Sequence, residues 1–125
     1  MNNSVFGELT FNTGWKTEAE ISLFGNNYVV TVKAKAYFEK DGITAEQESA
    51  FSDFNDYKNS RLQTVEKLLN GLASGNAAER FTPRTLLFQR NGGYALLLDD
   101  KNDEDDGIAV CLAPKAEVLS QDEYL

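Results

Sequence analysis

Two consecutive runs alternate in polarity with period two, and they constrain the fold more than any other feature of the chain. From Trp15 to Phe24, Trp15, Thr17, Ala19, Ile21 and Leu23 share one side, and Lys16, Glu18, Glu20 and Ser22 share the other. From Tyr28 to Glu39, Tyr28, Val30, Val32, Ala34, Ala36 and Phe38 oppose Val29, Thr31, Lys33, Lys35, Tyr37 and Glu39. A period of two is the pattern of a half-buried antiparallel strand. Gly25-Asn26-Asn27 between the runs tolerates positive φ, so a hairpin is the shortest connection. A shorter alternation over Val5 to Phe11 predicts a strand before them. The small Ala34 and Ala36 on the apolar face leave room for a helix to approach.

Thr44-Ala45-Glu46-Gln47 has the spacing of a capping box, with Glu46 and Glu48 placed to complement the positive end of a helix dipole. At 100° per residue, Phe51, Phe54, Leu62, Val65, Leu69 and Leu72 fall on one stripe, flanked by Tyr57 and Leu68. The phase predicts one long helix to about Ala73, with Asn59-Ser60 as the place for any bend and Gly75-Asn76 as its close. Glu79 to Pro83 reads as a connection. Arg84 to Arg90 and Tyr94 to Leu98 then form two strands about the turn Asn91-Gly92-Gly93. Ile108 to Ala113 gives another, and Pro114 separates it from a short strand over Ala116 to Leu119.

The expected architecture is therefore α+β. It is an antiparallel sheet of about six or seven strands, three N-terminal and three or four C-terminal, with the long helix packed on one face. At 125 residues, with neither a linker nor an internal repeat, residues 1–125 read as one domain.

Charge is distributed unevenly. Asp99-Asp100-Lys101-Asn102-Asp103-Glu104-Asp105-Asp106-Gly107 holds six carboxylates and one ammonium, so its net of −5 is most of the chain's −8. Like charges this dense stay solvated unless a cation or a cationic partner neutralises them. A calcium loop of EF-hand type does not fit. With Gly107 at the glycine position, the twelfth position is Ala113 where a bidentate acid belongs. The pI of about 4.5 argues against nucleic acid, whose phosphates need a basic surface.

Catalytic chemistry finds little footing. There is no histidine, the usual general base near neutral pH and a frequent metal ligand. The single Cys111 lies in the apolar run Ile108 to Leu112, where a buried structural thiol is expected, and one cysteine allows neither a disulfide nor a thiolate metal site in a monomer. Glu46, Glu48, Asp53 and Asp56 read as the solvated face of the helix. Gly92-Gly93 lacks the following helix and lysine of a phosphate loop. Lys33, Lys35 and Tyr37 make too small a stripe for base stacking. Trp15 and Tyr124 fit either exposed interface anchors or packing. No cofactor, metal or enzymatic activity is expected. No apolar run reaches the length of a membrane span, and Met1-Asn2-Asn3-Ser4 does not open a signal peptide, so the expected location is the cytoplasm.

Phe6-Gly7-Glu8-Leu9 lies near the start, Ile21-Ser22-Leu23-Phe24-Gly25 stands before a strand, and Ile43-Thr44-Ala45-Glu46-Gln47 opens the helix. Pro83 before an apolar strand and the acidic run into Gly107-Ile108-Ala109-Val110 complete the pattern. Taken together, these pieces resemble a group of small acidic bacterial domains, several of them encoded as immunity proteins beside polymorphic or contact-dependent growth-inhibition toxins. The resemblance implies an inhibitor that binds a cognate, basic toxin domain and covers its active site or substrate face. The residues expected at that surface are Asp99, Asp100, Asp103, Glu104, Asp105 and Asp106, joined by Asp122 and Glu123. The competing reading is a protein-binding or structural module with no toxin partner.

Overall fold

The computed structural model describes every residue from Met1 to Leu125. Strands β1 (Asn2–Asn3) and β2 (Gly7–Glu8) form a small ribbon, followed by β3 (Thr10–Phe11), β4 (Trp15–Leu23) and β5 (Asn26–Ala34). Helices α1 (Ala45–Asp56), α2 (Lys58–Leu72) and α3 (Ala77–Arg80) come next. The chain closes with β6 (Phe81–Phe88), β7 (Tyr94–Asp100), β8 (Asp103–Ala113), β9 (Glu117–Ser120) and α4 (Gln121–Tyr124). Strands β3 to β9 lie in chain order in one seven-stranded sheet. The fold is α+β as expected, with a mostly antiparallel sheet.

Three features depart from the expectation. The sheet contains one parallel seam, β5 with β6, pairing Thr31 with Thr85 through Ala34 with Phe88. A helical excursion between two strands permits this, because a crossover returns the chain in the same direction, which a tight turn cannot do. The helix is also not continuous. Tyr57 has φ −120°, outside the helical region, and ends α1 where α2 begins. The cause is local: Asn55, Asp56, Asn59 and Ser60 favour competing side-chain hydrogen bonds over helix. Arg61 then reaches back across the corner to Asp53 at 2.7 Å. The apolar phase survives the break, so Phe51, Phe54, Leu62, Val65 and Leu69 are all buried, whereas Leu72 and Tyr57 are exposed.

Third, several boundaries move. The expected strand over Val5 to Phe11 is split. Val5 and Phe6 lie in the turn between β1 and β2, Gly7 enters β2 at φ +82°, and Leu9 separates β2 from β3. Phe6 and Leu9 enter the core in place of a strict alternation. The β4/β5 turn is Phe24-Gly25, both at positive φ, since Leu23 pairs with Asn26. Strand β5 stops at Ala34, short of the expected Glu39, which leaves Phe38 63% exposed where the apolar strand face was expected. Pro83 lies inside β6, at a register shift between Pro83 and Thr85, the irregular position a strand proline needs.

Helices α1, α2 and α3 cover one face of the sheet. Phe51 stacks on Phe6 at 4.6 Å and meets Phe88 edge-on at 5.4 Å, and Phe88 stacks on Tyr94 at 4.9 Å. Each such aromatic pair contributes about 1 kcal/mol beyond its area. The other face carries a second cluster, Leu87, Ala95, Leu97, Ala109 and Cys111, closed over by Leu119 and Tyr124. Strands β6, β7 and β8 are thus apolar on both sides because both sides are covered. Trp15 is buried, and the Tyr124 ring packs on this second cluster, so both serve packing. No helix is long and apolar enough to cross a membrane.

Gln47 joins α1 to the parallel seam. It is fully buried, and its Nε2 donates to the carbonyls of Lys35 at 3.0 Å and Phe88 at 3.1 Å. Its Oε1 accepts from the Thr44 amide at 2.9 Å, while Thr44 Oγ1 accepts from the Gln47 amide at 3.0 Å. The expected capping box therefore exists and also faces inward. Gln47→Ala is predicted to cost about 2 to 3 kcal/mol in urea unfolding, because it removes the hydrogen bonds of the buried amide with Lys35, Phe88 and Thr44 and opens a cavity. A loss below about 0.5 kcal/mol would show that the anchor is dispensable.

Candidate functional site

The acidic segment is the tip of the β7/β8 hairpin. Asp100 pairs with Asp103 across the two-residue turn Lys101-Asn102, so the strands run on into the segment expected to be an open connection. Leu98 pairs with Ile108, so on the β8 side the residues Glu104 to Gly107 bulge opposite Asp99 alone. Extra residues on one strand bend it and raise its twist, which throws these carboxylates outward.

The eight carboxylates proposed from sequence do not share one environment. Asp100 is 7% exposed, with its Oδ1 and Oδ2 accepting from Arg80 Nε at 2.8 Å and Nη2 at 3.0 Å. It also accepts from the Asn102 amide at 3.0 Å, which fixes the turn. Its position is structural, and it is not free to meet a partner. Asp99 is exposed and paired with Arg84 at 2.7 Å. Asp103, Glu104 and Asp105 are exposed, while Asp106 is half-buried. Asp103 accepts from the Asp106 amide at 3.2 Å, which shapes the bulge.

The last turn of the chain joins them. Asp106 Oδ1 accepts from the Asp122 amide at 3.3 Å, and Glu123 closes a capping box with Ser120. Asp122 and Glu123 are both exposed, so α4 extends the acidic surface beyond the hairpin. Gln121 holds α4 in place: its Nε2 donates to the Leu98 carbonyl at 3.0 Å and the Ile108 carbonyl at 3.4 Å, at the mouth of the bulge. Gly107 makes room for it. A Cβ there would lie 2.3 Å from Leu98 O and 2.4 Å from Gln121 Nε2. Gly107, Gln121, Arg80 and Arg84 carry the geometry of this end; Gly107 stood out in the sequence only as the end of the acidic run, and the other three had no site role there. Their signal lies in strand register, which brings Arg84 near Asp99 across the β6/β7 pair.

Behind the tip, Arg80, Arg84, Asp99, Lys101 and Glu104 border a wholly polar cleft of about 310 Å³. Two of its cations are already matched, Arg80 with Asp100 and Arg84 with Asp99, while Lys101 and Glu104 have no ion-pair partner within 4 Å. No three His, Cys, Asp or Glu side chains anywhere in the fold converge as metal ligands would. A second cleft of about 520 Å³ lies between α1 and the β6/β7 turn, bordered by Glu46, Ser49, Asp53, Gly92 and Pro114. Tyr94 also borders it, and the Tyr94 hydroxyl, like the neighbouring Arg61 Nε, is buried without a well-formed hydrogen bond. Burial raises the Tyr94 pKa, and the neighbouring Arg61 guanidinium opposes the rise. The cleft pairs no nucleophile with a base. Glu46 and Asp56 are exposed along α1, as a solvated helix face requires, and Asp53 is tied to Arg61. Cys111 is buried beneath Tyr124, and desolvation, followed by the charge of Glu117, raises its pKa.

No family model, no curated protein and no solved structure matches this chain.

Two predictions arise from this end of the sheet. The hydrogen bonds from Arg80 hold the Asp100 carboxyl below its ordinary range, an effect that burial partly opposes. Such a group stabilises the fold above its unfolded pKa and loses that contribution as pH falls through the folded one. Asp100→Asn is therefore predicted to lower the urea midpoint at pH 7, with the gap to the parent closing below about pH 4. An equal gap at both pH values would contradict the ion pair. Gly107→Ala is predicted to cost about 2 kcal/mol through overpacking and to speed proteolytic loss of the C-terminal turn. Unchanged cleavage would detach α4 from the hairpin.

Proposed function

We propose that this chain is an immunity-type inhibitor that binds one cognate bacterial toxin domain and covers a cationic active site or substrate face, acting in the cytoplasm and without catalysis of its own. The observation that carries the reading is the carboxylate surface at the hairpin tip, where Asp103, Glu104 and Asp105 are exposed and Asp122 and Glu123 are docked alongside by the Asp106 contact. Two segments separated in sequence contribute to it. The hydrogen bonds within it mean that little ordering remains to be done on binding. An acidic patch of this kind raises the association rate with a basic partner and opposes wrong, acidic ones. A basic nuclease cleft is the type of face it would fill, with carboxylates standing where phosphates otherwise sit.

A second reading has its own support. Asp99 and Asp100 are consumed by Arg84 and Arg80, so part of the charge holds the fold together. On that reading the chain is a protein-binding module with no toxin partner, and the exposed remainder serves solubility.

Capture from the source organism's lysate, at low and at moderate salt, separates the two. The informative variant neutralises only the free carboxylates: Asp103→Asn, Glu104→Gln, Asp105→Asn, Asp122→Asn and Glu123→Gln. The parent is expected to retain one basic toxin domain at low salt, and the variant to associate with it about tenfold more slowly, with a flattened salt dependence. Equal capture and equal rates would sink the assignment of this surface.

A further inference from the structure

The sheet is closed unevenly at its β3 edge. Strand β3 covers only Trp15 and Lys16 of β4, so Thr17 to Leu23 has a partner strand on one side alone. The direction of the free groups follows from the turn. With a two-residue turn, Leu23 and Asn26 form the hydrogen-bonded pair next to it, so Ile21, Ala19 and Thr17 exchange bonds with β5. Ser22, Glu20 and Glu18 then turn their N–H and C=O groups outward. Lys58 confirms the phase, because its Nζ donates to the outward carbonyl of Glu20. No other hydrogen bond reaches the outer backbone groups of these three residues.

We propose that Thr17 to Leu23 is a strand-addition site that accepts an extended segment of a basic protein, with lysine or arginine at alternate positions. Natural edges are blunted by proline, bulges, shortness, a covering element or charged side chains. This one has no proline, bulge or covering strand. Its guards are the charges of Glu18 and Glu20, which a cationic strand neutralises, and the Lys58 side chain on its flexible stem. The outward backbone supplies the hydrogen bonds by which an added strand is held. The side chains choose its chemistry. Glu18 and Glu20 are both exposed on the polar face, beside Val29, which is 65% exposed opposite Glu20. Cationic residues on the added strand meet these carboxylates, and the apolar stems of those residues cover Val29. Pairing with a second copy is disfavoured: full antiparallel overlap of Thr17 to Leu23 sets Glu20 against Glu20. The site does not rest on the acidic hairpin, which belongs to the β7/β8 end of the sheet.

The probe is a seven-residue acetylated and amidated peptide alternating lysine with threonine and valine, titrated into the 15N-labelled full chain at low salt. The largest shift changes and the greatest slowing of amide exchange are expected at Glu18, Glu20 and Ser22. N-methylation along the bonding edge of the peptide should weaken binding about tenfold or more, since it removes the ladder and leaves the charge. Lys58→Ala should tighten binding several-fold by freeing the Glu20 carbonyl. Glu18→Lys with Glu20→Lys should weaken it about tenfold. Equal binding of the N-methylated peptide, or shifts centred on Asp103 to Asp106, would reduce the interaction to charge adsorption and overturn the proposal. So would shifts at Glu18 to Ser22 that appear with protein concentration alone, which would make a second copy the occupant. No change at millimolar peptide would also overturn it.

Discussion

The parallel contact between β5 and β6 is the constraint on which the rest of the structure depends. Every other neighbouring pair in the sheet is antiparallel and joined by a short connection, but this pair requires the chain to leave the sheet, cross it and return. Gln47 fixes where that excursion starts, through hydrogen bonds to Lys35, the residue after β5, and Phe88, the last residue of β6. Arg90 adds to the junction by donating to the Lys35 and Gly42 carbonyls. With the start of α1 fixed, Phe51 and Phe54 fall over Phe6, Phe88 and Tyr94. The corner at Tyr57 then directs α2 back along β4.

From the seam outward, the two ends of the sheet are built by different means. The β7/β8 end is elaborated: a bulge, a bidentate Arg80–Asp100 pair and a docked final turn convert a charged segment into an ordered surface. The β3 end is left plain, with two residues of cover and a single lysine over an exposed stretch of edge. Surface ion pairs such as Arg84–Asp99 contribute little stability on their own. Asp100 is different because it is buried and satisfied on both oxygens, so losing either partner leaves a charge without compensation.

The parts legible in the sequence were those fixed by local rules. Period two located β4, and the Thr44 to Gln47 spacing located the start of α1. The stripe from Phe51 to Leu69 located the buried side of both helices. The break between the helices was harder to read, because the apolar phase continues through it and the signal is only the weak helix preference of Asn55 to Ser60. The parallel seam was not legible, since pairing across a long crossover leaves no mark in either strand. At the acidic end, composition identified the charge but not its division of labour. Whether a carboxylate is free or consumed depends on which cation the register brings near it: Arg80 for Asp100, and none for Asp103, Glu104 or Asp105. Gly107 read as the end of an acidic run, yet the space it leaves for Gln121 is visible only once β8 is bent.

Asp103 to Gly107 and the final turn form one ordered surface. The measurement that tests it most directly is the {1H}-15N heteronuclear NOE of the amides of Asp103 to Gly107 and of Gln121 to Glu123. Values matching those of β4 and β5 are predicted, with slowed exchange at the Asp106 and Asp122 amides, which donate to carboxylates. Values falling to those of a freely moving loop, with exchange at the unprotected rate, would contradict the account and leave the charge as a solvated turn.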